Sequence, residues 1–211
     1  MKRPWTGLTI VGAMAAFTAA VYGRLPPRIA THWNLAGEPD GWSGRPGAWL
    51  LPTVALGTWA LLMAVPRIDP RGDNYARFRD TYLLVVNLTL VFLGVLHVAT
   101  VGSALGWPVE VGRLTNAMLG LLFVGLGNVL PRVRPNWFLG IRTPWTLESD
   151  RVWRETHRLG GRVFVAGGVL ILLLALLPDT TAEWLLLPVL LGTTAVPVVY
   201  SYLAWRRERA G

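Results

Sequence analysis

The sequence predicts an all-α protein: a polytopic transmembrane helical bundle of six spans, with both termini cytoplasmic and one cytoplasmic amphipathic helix between spans 4 and 5. Three observations predict it. Of 211 residues, 53% are hydrophobic and only 15% charged, with a mean hydropathy of +0.43, which leaves too little polar surface to coat a water-soluble globule of this size. Six stretches approach the roughly 20 apolar residues that a spanning helix needs. They run from Trp5 to Gly23, Ala48 to Pro66, Thr81 to Leu105, Leu114 to Leu130, Val163 to Pro178 and Glu183 to Trp205. The fifth is short and extends back toward Gly160-Gly161.

The third observation is where the charge lies. A net charge of +8 can signal nucleic acid, but placing Lys2 and Arg3 in the cytoplasm puts 16 of the 20 basic residues inside, leaving only Arg24, Arg28, Arg45 and Arg113 outside. That asymmetry follows the positive-inside rule. The charge therefore reads as a topology signal and an attraction to a bilayer with an anionic cytoplasmic leaflet, with no direct nucleic-acid contact. There is no cysteine, which excludes disulfides, thiolate catalysis and cysteine-ligated metals.

The first span follows Met1-Lys2-Arg3 and is as long as a membrane helix, longer than the usual apolar core of about 7–15 residues in a signal peptide, so it reads as an uncleaved helix. Gly12, Ala16 and Ala20 recur along it every four residues. They offer a close-packing face, or simply reflect how common alanine is in such chains. Pro26 and Pro27 stop this helix. The external loop that follows passes through His32, Trp33 and Asn34 to Gly37-Glu38-Pro39-Asp40-Gly41, strong turn chemistry that marks a shaped loop. His32, Glu38 and Asp40 can supply one imidazole and two carboxylates to zinc or iron, but their spacing matches no established ligand pattern. The alternative is that His32 and Asp40 satisfy backbone groups in the turn while Trp33 and Trp42 anchor at headgroup level.

Within the spans the polar residues are few: Asn87 and His97 in the third, Asn116 and Asn128 in the fourth, and Thr193, Thr194 and Ser201 in the sixth. No carboxylate or arginine falls near a span's centre, which counts against an ion-coupled transporter. His97 is the one ionisable exception, either a functional group or a neutral imidazole bonded to a neighbouring helix. Pro188 and Pro197 are expected to kink the last helix and free carbonyls that the nearby threonines can satisfy.

Pro131 ends the fourth span. Thr143-Pro144 then reads as an N-cap with proline at the first helical position, starting a helix that runs to about Leu159 and stops at Gly160-Gly161. At 100° per residue, Trp145, Ser149, Val152, Trp153, Thr156 and Leu159 share one side, with Arg151, Arg154 and Arg158 on another. This pattern suits a membrane-surface helix whose arginines meet lipid phosphates, or a plain connector between spans. Searches for His-Glu-x-x-His, Gly-x-Ser-x-Gly, a phosphate-binding glycine loop or paired carboxylates within one span find none. No enzyme and no cofactor are expected.

The densest motif in the chain is Asn136-Trp-Phe-Leu-Gly140-Ile-Arg142-Thr143-Pro144-Trp145-Thr146-Leu147, followed by Val152-Trp153 and Thr156-His157-Arg158. It resembles the signature of the SdpI family of bacterial multispanning membrane proteins. The external loop, from Pro26 through His32-Trp33-Asn34 to Gly37, Pro39 and Asp40, is similar to that of the two-helix domain preceding the signature in full-length members. The resemblance implies two domains. Residues 1–80 form a two-helix membrane domain with its external loop at 24–47, and residues 81–211 form a four-helix membrane domain carrying the signature loop at 131–162. It also implies immunity to a secreted peptide toxin at the bacterial inner membrane, with the protein acting as a receptor that holds a transcriptional repressor at the membrane. The segment Arg142 to Thr146, with the arginine-rich helix, is the expected repressor contact. The alternatives are a small-solute transporter using His97, Asn87 and Asn116, or an outer-face metal-assisted enzyme using His32.

Overall fold

The computed structural model describes residues 5–34, 37–177 and 179–210, with the side chains of 179–183 outside that description. Lys2 and Arg3, on which the orientation argument leans, also lie outside the described residues. The helices are α1 (Trp5–Val21), α2 (Leu50–Ile68), α3 (Arg79–Ala104), α4 (Val111–Val129), α5 (Pro144–Glu148), α6 (Asp150–Leu174) and α7 (Asp179–Ala210). All but the five-residue α5 lie in candidate membrane spans, six among the described residues. The chain alternates direction from span to span, so one face carries the connections after α2 and α4 and the end of α7, the signature face. The other carries the segment between α1 and α2.

That segment is not a coil. Arg28–Trp33 (β1) and Pro39–Gly44 (β2) pair as an antiparallel hairpin, with Arg28 opposite Gly44 and Trp33 opposite Pro39. An all-helical reading missed it, although alternating apolar and β-branched residues over Ile29-Ala-Thr31 ahead of Asn34 and Gly37 carry the signal. Asn34 closes the turn: its side chain accepts from the Glu38 amide, and its carbonyl accepts from Gly37 N–H. Gly37 sits at φ +78°, and its Cα would lie 2.4 Å from a Cβ placed on Gly112. The hairpin tip therefore rests on the first turn of α4 backbone to backbone. Ile29 and Leu25, both buried, pack with Ala48 and Val101 to pin the hairpin to the bundle.

Small residues set the closest helix contact, but not where the sequence pattern on α1 suggested. A Cβ placed on Gly12 would meet nothing within 4 Å, and Gly12, Ala16 and Ala20 are all exposed, facing outward from the bundle. The close approach is between antiparallel α4 and α6. A Cβ on Gly120 would meet the Gly168 carbonyl at 2.7 Å, and one on Gly127 would meet that of Gly161 at 2.6 Å. Each pair is reciprocal, so the two backbones touch at two levels, as small residues permit where no hydrophobic effect drives helices together in lipid. Thr193 and Thr194 of α7 bond back to Val189 and Leu190, not to the Trp184 and Thr193 carbonyls that Pro188 and Pro197 leave free.

The segment after α4 corrects the expected amphipathic helix. α5 ends at Glu148, Ser149 is extended at φ −126°, and α6 starts at Asp150 and runs straight through Gly160-Gly161 into the membrane. Val152, Trp153, Thr156 and His157 are buried against protein instead of sinking into acyl chains. Gly160 and Gly161 do not end the helix, because both are buried where Leu130, Ile141 and Pro131 approach them.

Candidate functional site

The signature folds into a rigid cap over one face of the bundle, organised by Asn136. Its side chain is fully buried; Oδ1 accepts from the amides of Phe138 and Leu139 and from the Tyr75 hydroxyl, while Nδ2 donates to the carbonyls of Arg134 and Leu139. One amide thus satisfies the backbone of a tight loop from both sides. Asp69, which sequence reasoning passed over, completes the network. Its buried carboxylate accepts from Arg71 N–H at 2.7 Å, from Tyr75 Oη at 2.7 Å and from Trp137 N–H at 3.0 Å. A buried carboxylate tolerates desolvation only when several donors surround it. Nothing local in Ile68-Asp69-Pro70 announces this, because the donor that ties it to the cap, Trp137 N–H, is distant in sequence.

His157 locks the next turn. Its ring stacks on Trp153 with centroids 4.0 Å apart, Nε2 accepts from Ile141 N–H at 3.1 Å, and Nδ1 faces the Trp153 carbonyl at 2.8 Å. An acceptor at Nε2 fixes the neutral tautomer with the proton on Nδ1. Gly140 must be glycine on two counts: φ is +113°, and a Cβ there would lie 2.3 Å from Nε2. Trp153 in turn donates from Nε1 to the Val133 carbonyl.

Thr143 caps α5 as the sequence predicts. Its hydroxyl accepts from Thr146 N–H and the Thr146 hydroxyl accepts from Thr143 N–H, a reciprocal capping box with Pro144 at the first helical position. The Thr143 hydroxyl also lies 3.0 Å from Ser201 Oγ, tying the cap to α7. Trp145 packs against Tyr202, and Glu148 accepts from Trp205 Nε1 at 2.8 Å and from Arg209 at 2.7 Å. What remains outward is Trp137 and Phe138, 47% and 41% exposed, with Arg142 beside them donating to the Trp137 carbonyl. Most signature residues are therefore structural, and the exposed surface belongs to Trp137, Phe138, Arg142, Pro144 and Arg158.

The Glu148 contacts carry a pH signature. Hydrogen bonds from Arg209 and Trp205 hold its carboxyl below the usual carboxylate range. The folded pKa is depressed, so the tether is present above the ordinary value near 4.3 and is lost as pH falls through the lower folded value. We expect hydrogen exchange to show more protection of the α7 end in wild type than in Glu148→Gln at neutral pH, with the difference vanishing in acid once the pH lies below the depressed folded value. A difference that persists in acid would contradict the assignment.

On the hairpin face, a cavity of about 230 Å³ opens beneath β1, lined mainly by Leu50, Leu51, Leu96 and Val111 with Thr100, Thr115, His32 and His97. His97 is buried on α3, edge-on to Phe17, and its Nε2 lies 2.9 Å from the Thr18 hydroxyl of α1. Asn87 and Asn116 do not line this cavity, so the polar set expected for a solute path is not gathered there. His32 Nδ1 pairs directly with Asp40 at 2.5 Å, joining the two strands through side chains instead of satisfying the turn backbone. Glu38 does not join them: among the described residues no three His, Cys, Asp or Glu side chains cluster as a metal site. Asn128 bonds back to the Val124 carbonyl on the exposed side of α4.

Two family models match this chain: the SdpI/YfhL protein family over residues 132–201, and a domain of unknown function (DUF1648) over residues 9–56. The first covers the cap, α6 and most of α7; the second covers α1, the hairpin and the start of α2. The immunity protein SdpI of Bacillus subtilis (strain 168) is 26% identical over 205 residues, covering 97% of this chain and 94% of that protein. No solved structure matches the chain. The signature cap thus falls within the match to the SdpI/YfhL family model, and together with six apolar helices and the similarity to an SdpI immunity protein it marks the chain as a multi-pass bacterial membrane protein.

Proposed function

We propose that this protein is a non-enzymatic immunity and signal-receptor protein of the inner membrane that protects against, or senses, a secreted membrane-active peptide. The hairpin faces outward and the cap faces the cytoplasm. The observation that carries the reading is the similarity to an immunity protein along almost the whole of both chains, hairpin and cap included. The orientation is supported by the basic residues, which concentrate in the segments that build the cap.

The geometry supplies a route between the faces. The hairpin-face cavity suits an apolar peptide side chain, with the His97 and Thr18 pair at its inner end. From His97, α3 runs back about 23 Å to Tyr82, which packs with Tyr75 and Phe78 just before the helix and beneath the cap. A helix packed at both ends transmits a shift only if the peptide binds two arrangements unequally. On the cytoplasmic side, Trp137, Phe138 and Arg142 form the exposed surface for a repressor or other protein partner.

The test is survival of a sensitive bacterium expressing the protein and challenged with secreted peptide toxins. Its comparison is a Trp137→Ala/Arg142→Ala variant at matched membrane levels. Protection by wild type that is lost in the variant is expected; equal protection by both would remove the partner role of this surface, and no protection by either would remove the immunity reading. His97→Leu in a separate solute-flux measurement tests transport: unchanged flux removes a solute path through His97, while unchanged toxin resistance says nothing against immunity.

A further inference from the structure

The cap borders a second, partly open cavity that the proposed signalling route does not use. It measures about 460 Å³ and lies between the turn after α2, the segment after α4 and the first two turns of α6. Four arginines line it, Arg77, Arg134, Arg154 and Arg158, all with exposed side chains, against the single acidic residue Asp150. That carboxylate already faces Arg71 at 3.9 Å. Among the described residues none of the four arginines has an ion-pair partner. The walls are firm: Trp153 donates to the Val133 carbonyl at 2.9 Å, and Asn74 donates to the Pro135 carbonyl at 2.8 Å, so two lining residues are each bonded to another segment.

Four like charges gathered around one concave cleft repel one another, and an anion entering the cleft relieves that repulsion. The α6 N-terminus adds partial positive charge from its first amides. Guanidinium groups match phosphate oxygens in pairs, which carboxamide-lined or apolar cavities do not. The cavity sits where α4 ends at Val129 and α6 begins at Asp150, the depth at which headgroups meet the ends of spans.

We propose that this cavity is a phosphate-binding site, filled in the cell by the headgroup of an anionic phospholipid from the adjoining leaflet. The lipid bridges three segments of the cap, so its binding stabilises the folded arrangement by mass action. The inference rests on the membrane placement of the chain and is independent of the immunity reading.

The test compares purified protein carrying Arg154→Gln/Arg158→Gln with wild type and with Arg79→Gln/Arg207→Gln, which removes the same charge from exposed positions outside the cavity. Native mass spectrometry after extraction from phosphatidylglycerol nanodiscs counts retained lipid, with phosphatidylcholine nanodiscs as reference. Wild type and the outside pair are expected to retain phosphatidylglycerol, while the cavity pair retains about tenfold less or lower still. Equal retention by all three, or equal loss in both variants, would overturn a built site and leave only diffuse attraction to the membrane.

Helicity of the cavity pair is checked in phosphatidylcholine; should it fail to fold, Arg134→Gln, on a loop, replaces it with the same expectation. A separate arm adds inorganic phosphate to lipid-depleted wild type in detergent. Thermal stabilisation by phosphate without phosphatidylglycerol retention would keep the phosphate chemistry and overturn the lipid assignment. Response to neither would overturn both.

Discussion

Replacing Gly140 with alanine is expected to unfold the cap and to lower the stability of the whole protein by about 4 kcal/mol, a melting shift on the order of 8–16 °C for a chain of this size. Three costs coincide there. A backbone at φ +113° carries a steric penalty for any side chain, of roughly 1–2 kcal/mol. The new Cβ would stand 2.3 Å from His157 Nε2, so the imidazole must move, and it is held from below by the Trp153 ring. Moving it leaves Ile141 N–H and the ring nitrogen unpaired in a buried site, at about 1–3 kcal/mol. Thermal unfolding in detergent micelles measures the sum. Gly12→Ala is the control, since a Cβ there meets nothing within 4 Å. A Gly140→Ala protein that melts within about 2 °C of wild type would refute the locked turn.

Asn136→Ala is expected to be nearly as severe, at about 3–5 kcal/mol, because the side chain is fully buried and its loss strips partners from two carbonyls, two amides and a tyrosine hydroxyl. Asn136→Asp is the more discriminating variant. It keeps the acceptor for Phe138 and Leu139 but turns a carboxylate oxygen toward the carbonyls of Arg134 and Leu139, where an N–H donor stood. It also brings a second carboxylate to the Tyr75 hydroxyl that Asp69 already holds. If Asn136 acts through donors and acceptors together, Asp is no better than Ala; a near-wild-type melting point for Asp would assign the role to the acceptor alone. Both variants also predict reduced levels in the membrane, which separates them from Arg142→Ala, whose exposed side chain makes a surface contact and leaves the fold intact.

These two positions show how far a linear reading carries. The signature was legible as a unit because its members lie within a short stretch, and its capping chemistry at Thr143 and Pro144 is local by nature. Its partners were not legible. Asp69 and Tyr75 precede Asn136 by more than sixty residues, and no periodicity or spacing links residues that meet only after two spans have crossed the membrane. The helix at Pro144 failed for a related reason. An apolar stripe looks the same whether lipid or protein covers it, and Gly160-Gly161, a stop signal in water, becomes a packing surface when another helix presses against it. On the opposite side of that helix, Arg154 and Arg158 line a cavity together with Arg77 from a different loop, a grouping that no spacing along the chain announces.

By itself the sequence determined that this chain crosses a membrane six times, which segments cross, which face collects the basic residues and which family its motif resembles, because hydropathy, charge asymmetry and local capping are properties of contiguous residues. Only the tertiary structure decided that the signature is mostly buried scaffold, that the external segment is a hairpin seated on α4, and that the glycines of α4 and α6 make the closest helix contact. It alone gathered four arginines around one cavity. Each of these depends on which distant segments touch, and contact is set by the packing and hydrogen-bond satisfaction of the whole bundle.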